Sequence, residues 1–150
     1  MLADSRITPR PAGTFDRMAT VDIRPFEDPD AATIARLSTT VQWPSLTNAE
    51  TVIGVCTAPG AVAYVALCDD RLVGWAQAVG DGVLQSHLGF LAVHPDHRHR
   101  GIGRLLVVAT FQATGTKRMD LVTDADASGF YERFAHKSMV GFRIYPGAPV

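Results

Sequence analysis

One stretch of the chain, "HPDHRHRGIGRLL" over residues 94–106, limits the folds available to it more than any other. It follows an apolar run, "VLQSHLGFLAV", and leads into a pattern of apolar residues three and four positions apart that predicts an amphipathic helix. A helix start carries unpaired N–H groups and the positive end of the helix dipole, and glycines let backbone approach a ligand closely. The order strand, glycine loop and helix therefore predicts a site for a phosphate or pyrophosphate, with a solvated surface turn as the alternative.

The spacing of the loop residues separates this site from two common phosphate loops. A dinucleotide fingerprint needs a third glycine where Leu106 stands, and a Walker A loop needs Gly-Lys-Ser/Thr, whereas Gly103 is followed by Arg104. The stretch does match the six-residue pattern Gln/Arg-x-x-Gly-x-Gly/Ala from Arg98 to Gly103. Its arginines add positive charge around the expected anion: Arg98, Arg100 and Arg104.

Composition excludes several classes of protein. A chain of 150 residues with 47% hydrophobic residues, 19% charged residues and a net charge of −1 is typical of a globular domain and argues against broad nucleic-acid binding. The sequence lacks an apolar run of about 18 residues and a secretory h-region, so we expect a cytoplasmic protein without membrane partners. Cys56 and Cys68, in apolar surroundings without CxxC spacing, are expected to be buried free thiols. We expect residues 1–17 to form a disordered leader and residues 18–150 a single domain.

Periodicity predicts an alternation of strands and helices along the domain. A strand at "ATVDIRPF" precedes a helix at "DPDAATIARLSTTV", with Asp28 as N-cap, and a second helix opens with the capping-box pair Thr47 and Glu50. Two strands joined at "DDR" and a third after the turn at Asp81 and Gly82 form a meander. After the helix that Gly115 ends, the pattern predicts a buried strand "MDLVT", a helix "DASGFYERFAHK" and a last strand "SMVGFRIYP".

At this point the sequence resembles the GNAT family of N-acetyltransferases, in which a Gln/Arg-x-x-Gly-x-Gly/Ala loop binds the pyrophosphate of acetyl-CoA. "LGFLAVHPDHRHRGIGRLL" is similar to the family's fourth strand, loop and third helix. "DADASGFYERF" is similar to its Asn-x-x-Ala-x-x-Phe-Tyr-Glu-Lys/Arg segment, with Asp124 at the Asn position and Tyr131 at the Tyr. The chain departs from the pattern at Asp124, at Ala135-His136 in place of Gly-Phe, and in having one final strand where many members have two. The resemblance implies an α/β fold with a mixed, mostly antiparallel sheet of about six strands flanked by helices.

The resemblance also implies roles for individual residues. The acetyl-CoA arm would bond main-chain groups of the strand before the loop, and the pyrophosphate would lie at the loop. The implied donor-site residues are Leu91, Ala92, Val93, Arg98, His99, Arg100, Gly101, Ile102, Gly103, Arg104 and Asp124. Tyr131 is the implied general acid, because a phenol stays protonated at neutral pH. His87 or Gln85 could accept or relay the proton of the acceptor amine, and only His87 titrates in a useful range.

Several alternatives stay open from the sequence. His87 is either a base or a structural strand histidine, Tyr131 is either a general acid or a core residue, and Trp43 either lines an acceptor pocket or packs in the core. His94, His97 and His99 lack a recognised zinc spacing, so no metal is expected. The expected function is acetyl-CoA-dependent transfer to a primary amine of a small molecule or peptide. A noncatalytic acyl-CoA-binding module is the alternative, and homodimer formation is undecided.

Overall fold

The structure of the protein, a computed structural model, describes residues 20–147 and contains five strands in one sheet. The expected leader at residues 1–17 lies outside the described residues. The strands are β1 (Val21–Pro25), β2 (Ala61–Cys68), β3 (Arg71–Gly80), β4 (Gln85–Val93) and β5 (Arg118–Asp120). The helices are α1 (Ala31–Thr40), α2 (Ala49–Cys56), α3 (Ile102–Thr114) and the single turn α4 (Ser128–Tyr131).

The sheet follows chain order. Strands β1 to β4 pair antiparallel in sequence, and β5 adds to β4 in parallel after the crossover through α3. A two-residue turn joins β2 to β3, and both of its residues, Asp69 and Asp70, have positive φ, which suits the right-handed twist of a hairpin. The prediction of a mixed, mostly antiparallel sheet flanked by helices is confirmed, with five strands where about six were expected.

Helices cover both faces of the sheet. Helices α1 and α2 pack on one face around Trp75, which is fully buried, and α3 packs on the other through Ile102 and Leu106. The two cysteines are buried free thiols as predicted, and burial raises the pKa of Cys56 to about 12. No helix within residues 20–147 is long and apolar enough to cross a membrane.

Two predicted helix starts were wrong in their capping residues. A turn of 3₁₀ helix, Asp28–Asp30, precedes the first helix; Glu27 is the N-cap of this turn and Asp30 is the N-cap of α1, so neither is the predicted Asp28. The cap of α2 is Asn48, whose Oδ1 accepts from Glu50 N at 2.7 Å, not the predicted Thr47. A cap must lie where the backbone turns from extended to helical geometry, and a spacing of three residues alone does not locate that turn.

The chain after β4 departs furthest from the predicted pattern. The strand predicted as buried "MDLVT" is only Arg118–Asp120, an incompletely buried strand, and the predicted twelve-residue helix is a 3₁₀ turn followed by the four residues of α4. Short helices persist in water only when packing supports them, and no residue from 121 to 147 is fully buried. The last strand, predicted over 138–146, does not form among the described residues, since a strand needs a neighbour for its N–H and C=O groups and β5 is too short to supply one.

Candidate active site

The loop between β4 and α3 has a defined shape. The His94 imidazole accepts from Asp96 N at 3.2 Å through Nδ1, and Arg98 Nε donates to Val93 O at 3.2 Å, which ties the loop to the end of β4. His99 and Gly101 have positive φ, at 60° and 79°. Left-handed residues in such a turn aim successive backbone N–H groups into one concavity, a common anion-binding geometry.

The first turn of α3 completes this concavity. Gly101 is the N-cap and therefore offers no side-chain acceptor, and the first turn contains no acidic residue. The N–H groups that a cap would satisfy thus stay available at the positive end of the helix dipole. Arg100 and Arg104 are exposed beside them, so this end of α3 can bind a phosphate-bearing ligand.

The two loop glycines differ in what surrounds them. A Cβ on Gly101 would meet no heavy atom within 4 Å, so only its left-handed backbone requires glycine there. A Cβ on Gly103 would stand 3.2 Å from the Phe130 ring, which packs against the first turn of α3. Gly103 therefore also allows the α4 segment to dock on α3, a role that the sequence did not indicate.

Strands β4 and β5 pair over only three positions. The parallel ladder ends where His87 lies opposite Asp120, and within the described chain no strand pairs with this side of β4 from Leu88 to Val93. Leu91 and Val93 are half-buried and Ala92 is buried along this free edge. The opening between the strands leads towards the loop, so an extended ligand could lie along β4 with its charged end at α3.

A bulge in β4 lies where the β4–β5 ladder ends. The sequence did not indicate this bulge or Gln77, the β3 residue that packs beside it. Gln77 pairs with Phe90 and the next residue of β3 pairs with Leu88, which leaves Gly89 as the extra residue. The buried Gln77 side chain occupies the space beside Gly89, where a Cβ would stand 2.5 Å from Oε1, and its Nε2 donates to Val55 O of α2 at 2.9 Å. A buried polar residue in a sheet centre is the signal that could have identified it.

Tyr131 lies at the end of α4 and packs beside the loop helix. Its half-buried ring meets Phe130 edge-on at 4.9 Å between centroids, and Phe130 in turn covers Gly103. The Arg104 guanidinium lies 4.6 Å from the Phe134 ring centroid and adds a second link between α3 and this segment. Burial raises the pKa of the Tyr131 phenol, so the protonated form dominates at neutral pH.

His87 lines an open cavity of about 420 Å³ at the start of β4. Asp120 and Asp81 also line it, and Arg118 Nη2 donates to Gln85 Oε1 at 2.8 Å nearby. The backbone N–H groups of Leu84, Val83 and Gln85 lower the pKa of Asp81. The cavity therefore combines a titratable imidazole with carboxylates.

Trp43 does not line that cavity. It is half-buried, 5.9 Å from the Phe90 ring, and Phe90 stacks on Trp75 at 5.6 Å. It lines a separate cavity of about 360 Å³ with residues of the α1–α2 connection. The structure thus does not bring Trp43 and His87 into one cavity.

The remaining predicted positions are peripheral. Asp124 is exposed at the N-cap of the turn before α4, where its main-chain oxygen accepts from Ala127 N at 3.0 Å. In residues 20–147 no three His, Cys, Asp or Glu side chains are grouped as metal ligands.

The short β4–β5 ladder and the basic, uncapped start of α3 define an α/β protein whose geometry suits an extended, phosphate-bearing ligand. A family model described as an acetyltransferase (GNAT) domain matches residues 59–135, just over half of the chain. The chain therefore belongs to the GNAT family of acetyltransferases, which are acyltransferases, and the resemblance seen in the sequence is confirmed.

Individual relatives agree with this assignment. Mycothiol acetyltransferase of Kineococcus radiotolerans is 35% identical over 83 residues, 53% of this chain and 27% of that protein. An uncharacterised N-acetyltransferase, ycf52-like, of Prochlorococcus marinus is 32% identical over 65 residues, 41% of this chain and 36% of that protein. The matches thus span only about a quarter to a third of these curated relatives. A solved Deinococcus radiodurans R1 protein, provisionally assigned as an acetyltransferase, is 25% identical with a TM-score of 0.69, covering 87% of this chain and 94% of its own.

Proposed function

We propose that the chain transfers the acetyl group of acetyl-CoA to a primary amine by direct attack. The observation that carries this proposal is the edge of β4 from Leu88 to Val93, which pairs with no strand of residues 20–147 and leads to the uncapped start of α3. At about 3.3 Å per residue the opening is roughly 20 Å long. Its geometry suits an arm that bonds a strand edge through amide groups while a pyrophosphate lies at a helix start.

The donor site in this proposal consists mainly of backbone. Main-chain groups of Leu91, Ala92 and Val93 bond the arm, and the loop from Arg98 to Arg104 holds the pyrophosphate. We assign Asp124 to the periphery of the same site. The fit is supported by the open space over Gly101 and the absence of a capping side chain at that position.

Acetyl-CoA supplies an activated thioester carbonyl to this site. The amine nitrogen bonds to the carbonyl carbon, and a free N–H of the β4 edge stabilises the charge on the carbonyl oxygen. When the carbon–sulfur bond breaks, Tyr131 donates its phenolic proton to the departing thiolate, and the raised phenol pKa keeps that proton available. His87 receives the proton that the amine loses, directly or through a water, with Gln85 beside it.

The acceptor site in this proposal is the cavity that His87 lines. Asp81 stays ionised because backbone N–H groups lower its pKa, and Asp120 adds a second carboxylate. Amines arrive largely as ammonium ions at neutral pH, so carboxylates attract them and His87 can remove the proton that blocks attack.

An acceptor screen tests the proposal. The full chain is incubated with acetyl-CoA and a panel of small amines, amino acids and N-terminal peptides, and free CoA thiol is measured. Thiol release that depends on an amine, with the acetylated amine found by mass spectrometry, is the expected result. Calorimetric binding of CoA without amine-dependent release would instead indicate a noncatalytic acyl-CoA-binding module.

A further inference from the structure

Gln77 is a buried polar residue in the middle of β3, and its amide is bonded at the nitrogen end. Nε2 donates to Val55 O at 2.9 Å, and Val55 is the second-to-last residue of α2. This bond therefore satisfies one of the carbonyl groups that the end of a helix leaves unpaired. Because a carbonyl oxygen can accept only from the nitrogen end of an amide, the bond also fixes the direction of the Gln77 oxygen.

The other end of this amide, the Gln77 oxygen Oε1, accepts no hydrogen bond from residues 20–147, although the residue is only 6% exposed. Oε1 lies beside the exposed Gly89, where a Cβ would stand 2.5 Å from it. Buried polar atoms nearly always have a partner, and leaving one unpaired costs free energy. The Gln77 oxygen is thus available to a donor that approaches across Gly89.

The Gln77 oxygen and His87 lie on the same face of the sheet. Gln77 and Val79 share this face because alternate residues of a strand do, and Val79 pairs with His87 and lines the same cavity. On β4, His87 and Gly89 are also alternate residues, about 7 Å apart along the strand. A nitrogen atom placed between them can contact both the imidazole and Oε1.

We propose that Gln77 determines specificity for primary amines by accepting one N–H of the acceptor through Oε1, an inference that rests on the proposed acetyl transfer. The amine lone pair forms the new bond to the thioester carbon, one N–H proton passes to His87, and the second N–H donates to Oε1 throughout. The carbon–sulfur bond breaks, and Tyr131 protonates the thiolate. His87 and Tyr131 then exchange their protons with solvent, so atoms and charges balance without a further reagent.

This arrangement discriminates against a secondary amine. Its one N–H is lost in the reaction, so its second carbon substituent would lie against Oε1 and Gly89 in place of a donor. The buried oxygen would then stay unpaired, which is the way a polar site rejects an analogue that lacks a donor. A side chain that only supports the bulge would instead affect primary and secondary amines alike.

Methylamine and dimethylamine test the proposal, because they differ by one N–H and carry the smallest possible bodies. Thiol release from acetyl-CoA gives kcat/KM for each, and the wild-type chain should prefer methylamine at least about 10-fold. Gln77→Met keeps the side-chain volume but loses the oxygen. In this variant kcat/KM for methylamine should fall about 3–10-fold, and the preference should shrink to less than about 3-fold. Gln77→Glu keeps an oxygen at the same place and should retain the preference.

Val65→Ala is the matched control for lost stability. Val65 is fully buried in β2 and packs in the same cluster as Trp75, so its truncation weakens the core without removing a polar group. It should leave the preference for methylamine unchanged, and circular dichroism verifies that each variant folds. An unchanged preference in folded Gln77→Met, or an equal loss of preference in Val65→Ala, overturns the proposal.

A binding measurement separates this inference from acetyl transfer itself. In isotope-labelled protein with CoA present, methylamine should shift the NMR signal of the Gln77 side-chain amide, which Gln77→Met identifies by its absence, and dimethylamine should shift it less. A shift without thiol release from any amine would contradict acetyl transfer while supporting Gln77 as an amine ligand. Thiol release with an unshifted Gln77 amide would support acetyl transfer and overturn the role of Gln77.

Discussion

The two sides of the proposed active site, the donor side at β4 and α3 and the acceptor side at the cavity of His87, are built very differently. On the donor side, β4 is paired along its length with β3 and α3 contributes the buried Ile102 and Leu106. On the acceptor side, the cavity lies between the ends of β3 and β4 and Asp120 of the three-residue β5, and no residue from 121 to 147 is fully buried. The donor side is therefore formed by backbone that a buried core supports. The acceptor side is formed by side chains at the end of the sheet, where fewer residues are buried.

This difference has a physical meaning for function. A pyrophosphate and an amide-bearing arm can be recognised by backbone N–H groups, so the donor side needs correct φ and ψ values more than particular side chains. An acceptor is distinguished by side chains at the end of the sheet, where few contacts restrict substitution. Backbone changes should therefore affect acetyl-CoA, and side-chain changes should affect turnover and the acceptor.

Tyr131→Phe should produce the largest effect, because it removes a proton donor while keeping the ring. We expect kcat to fall about 10²-fold or more with nearly unchanged acetyl-CoA affinity. Steady-state kinetics and calorimetry measure the two quantities. Since burial raises the phenol pKa, any alkaline loss of kcat that belongs to Tyr131 should be shifted to higher pH than for an exposed tyrosine and be absent in the variant. If Tyr131→Phe turns over at the wild-type rate, Tyr131 is not the general acid and contributes only packing.

Gly101→Val should weaken the binding of CoA without affecting the acceptor site. A β-branched residue at φ 79° costs about 1–3 kcal/mol and distorts the loop, so we expect CoA to bind about 10–100-fold more weakly. Gly82→Val is the matched control, because Gly82 has φ 74° and equally open space in the β3–β4 loop. Calorimetry that finds equal CoA affinity in both folded variants would contradict the anion site.

His87→Ala should lower kcat about 10-fold, less than the full range for acid–base catalysis, because solvent water reaches this exposed side chain and can take the proton. The loss should become smaller towards low pH, because a base that already carries a proton cannot accept one from the amine, and CoA affinity should not change. If the pH profile of kcat for His87→Ala has the same shape as the wild-type profile, His87 is not the base and has a structural role in the strand.

Gly89→Ala should lower kcat/KM several-fold, up to about 10-fold, because its Cβ would displace the Gln77 amide and shift the bulge. Gln77→Ala in the same chain opens that space and should recover part of the loss, which a double-mutant cycle measures. Gly54→Ala in α2, where a Cβ meets nothing within 4 Å, is the control. Independent, additive effects would show that Gln77 does not position the bulge.

Trp43→Ala should produce the smallest kinetic effect. Since Trp43 lines a cavity separate from His87, we expect the acceptor KM to rise only about 3–5-fold, with acetyl-CoA KM unchanged. Thermal unfolding should report lost packing against Phe90 in the same variant. Destabilisation with an unchanged acceptor KM would identify Trp43 as a core residue.

Much of the donor side could be predicted from the sequence because its signals are local. The loop from Arg98 to Gly103, the helix that follows and its end at Gly115 depend on neighbouring residues alone, as does the hairpin turn at Asp69 and Asp70. The contact of Gly103 with Phe130 and the Gln77 support of Gly89 join residues distant in sequence, and no local pattern reports them.

The acceptor side shows the limit of local signals. Residues 138–145 have the period of a strand, yet among the described residues they pair with nothing, because strand formation depends on a neighbouring edge rather than on propensity. His87 and Trp43 line separate cavities, and no local pattern in the sequence shows that they are apart.

The sequence by itself determined the anion loop, the meander and the order of strand, loop and helix, because backbone conformation over a few residues follows from glycine, proline, charge and apolar spacing. Only the tertiary structure decided where the β4–β5 ladder stops, which side chains meet at the acceptor cavity and how much of the segment after α4 is left exposed. Those features depend on contacts between distant residues, whose formation is governed by the space and the hydrogen-bond partners that the rest of the fold leaves open.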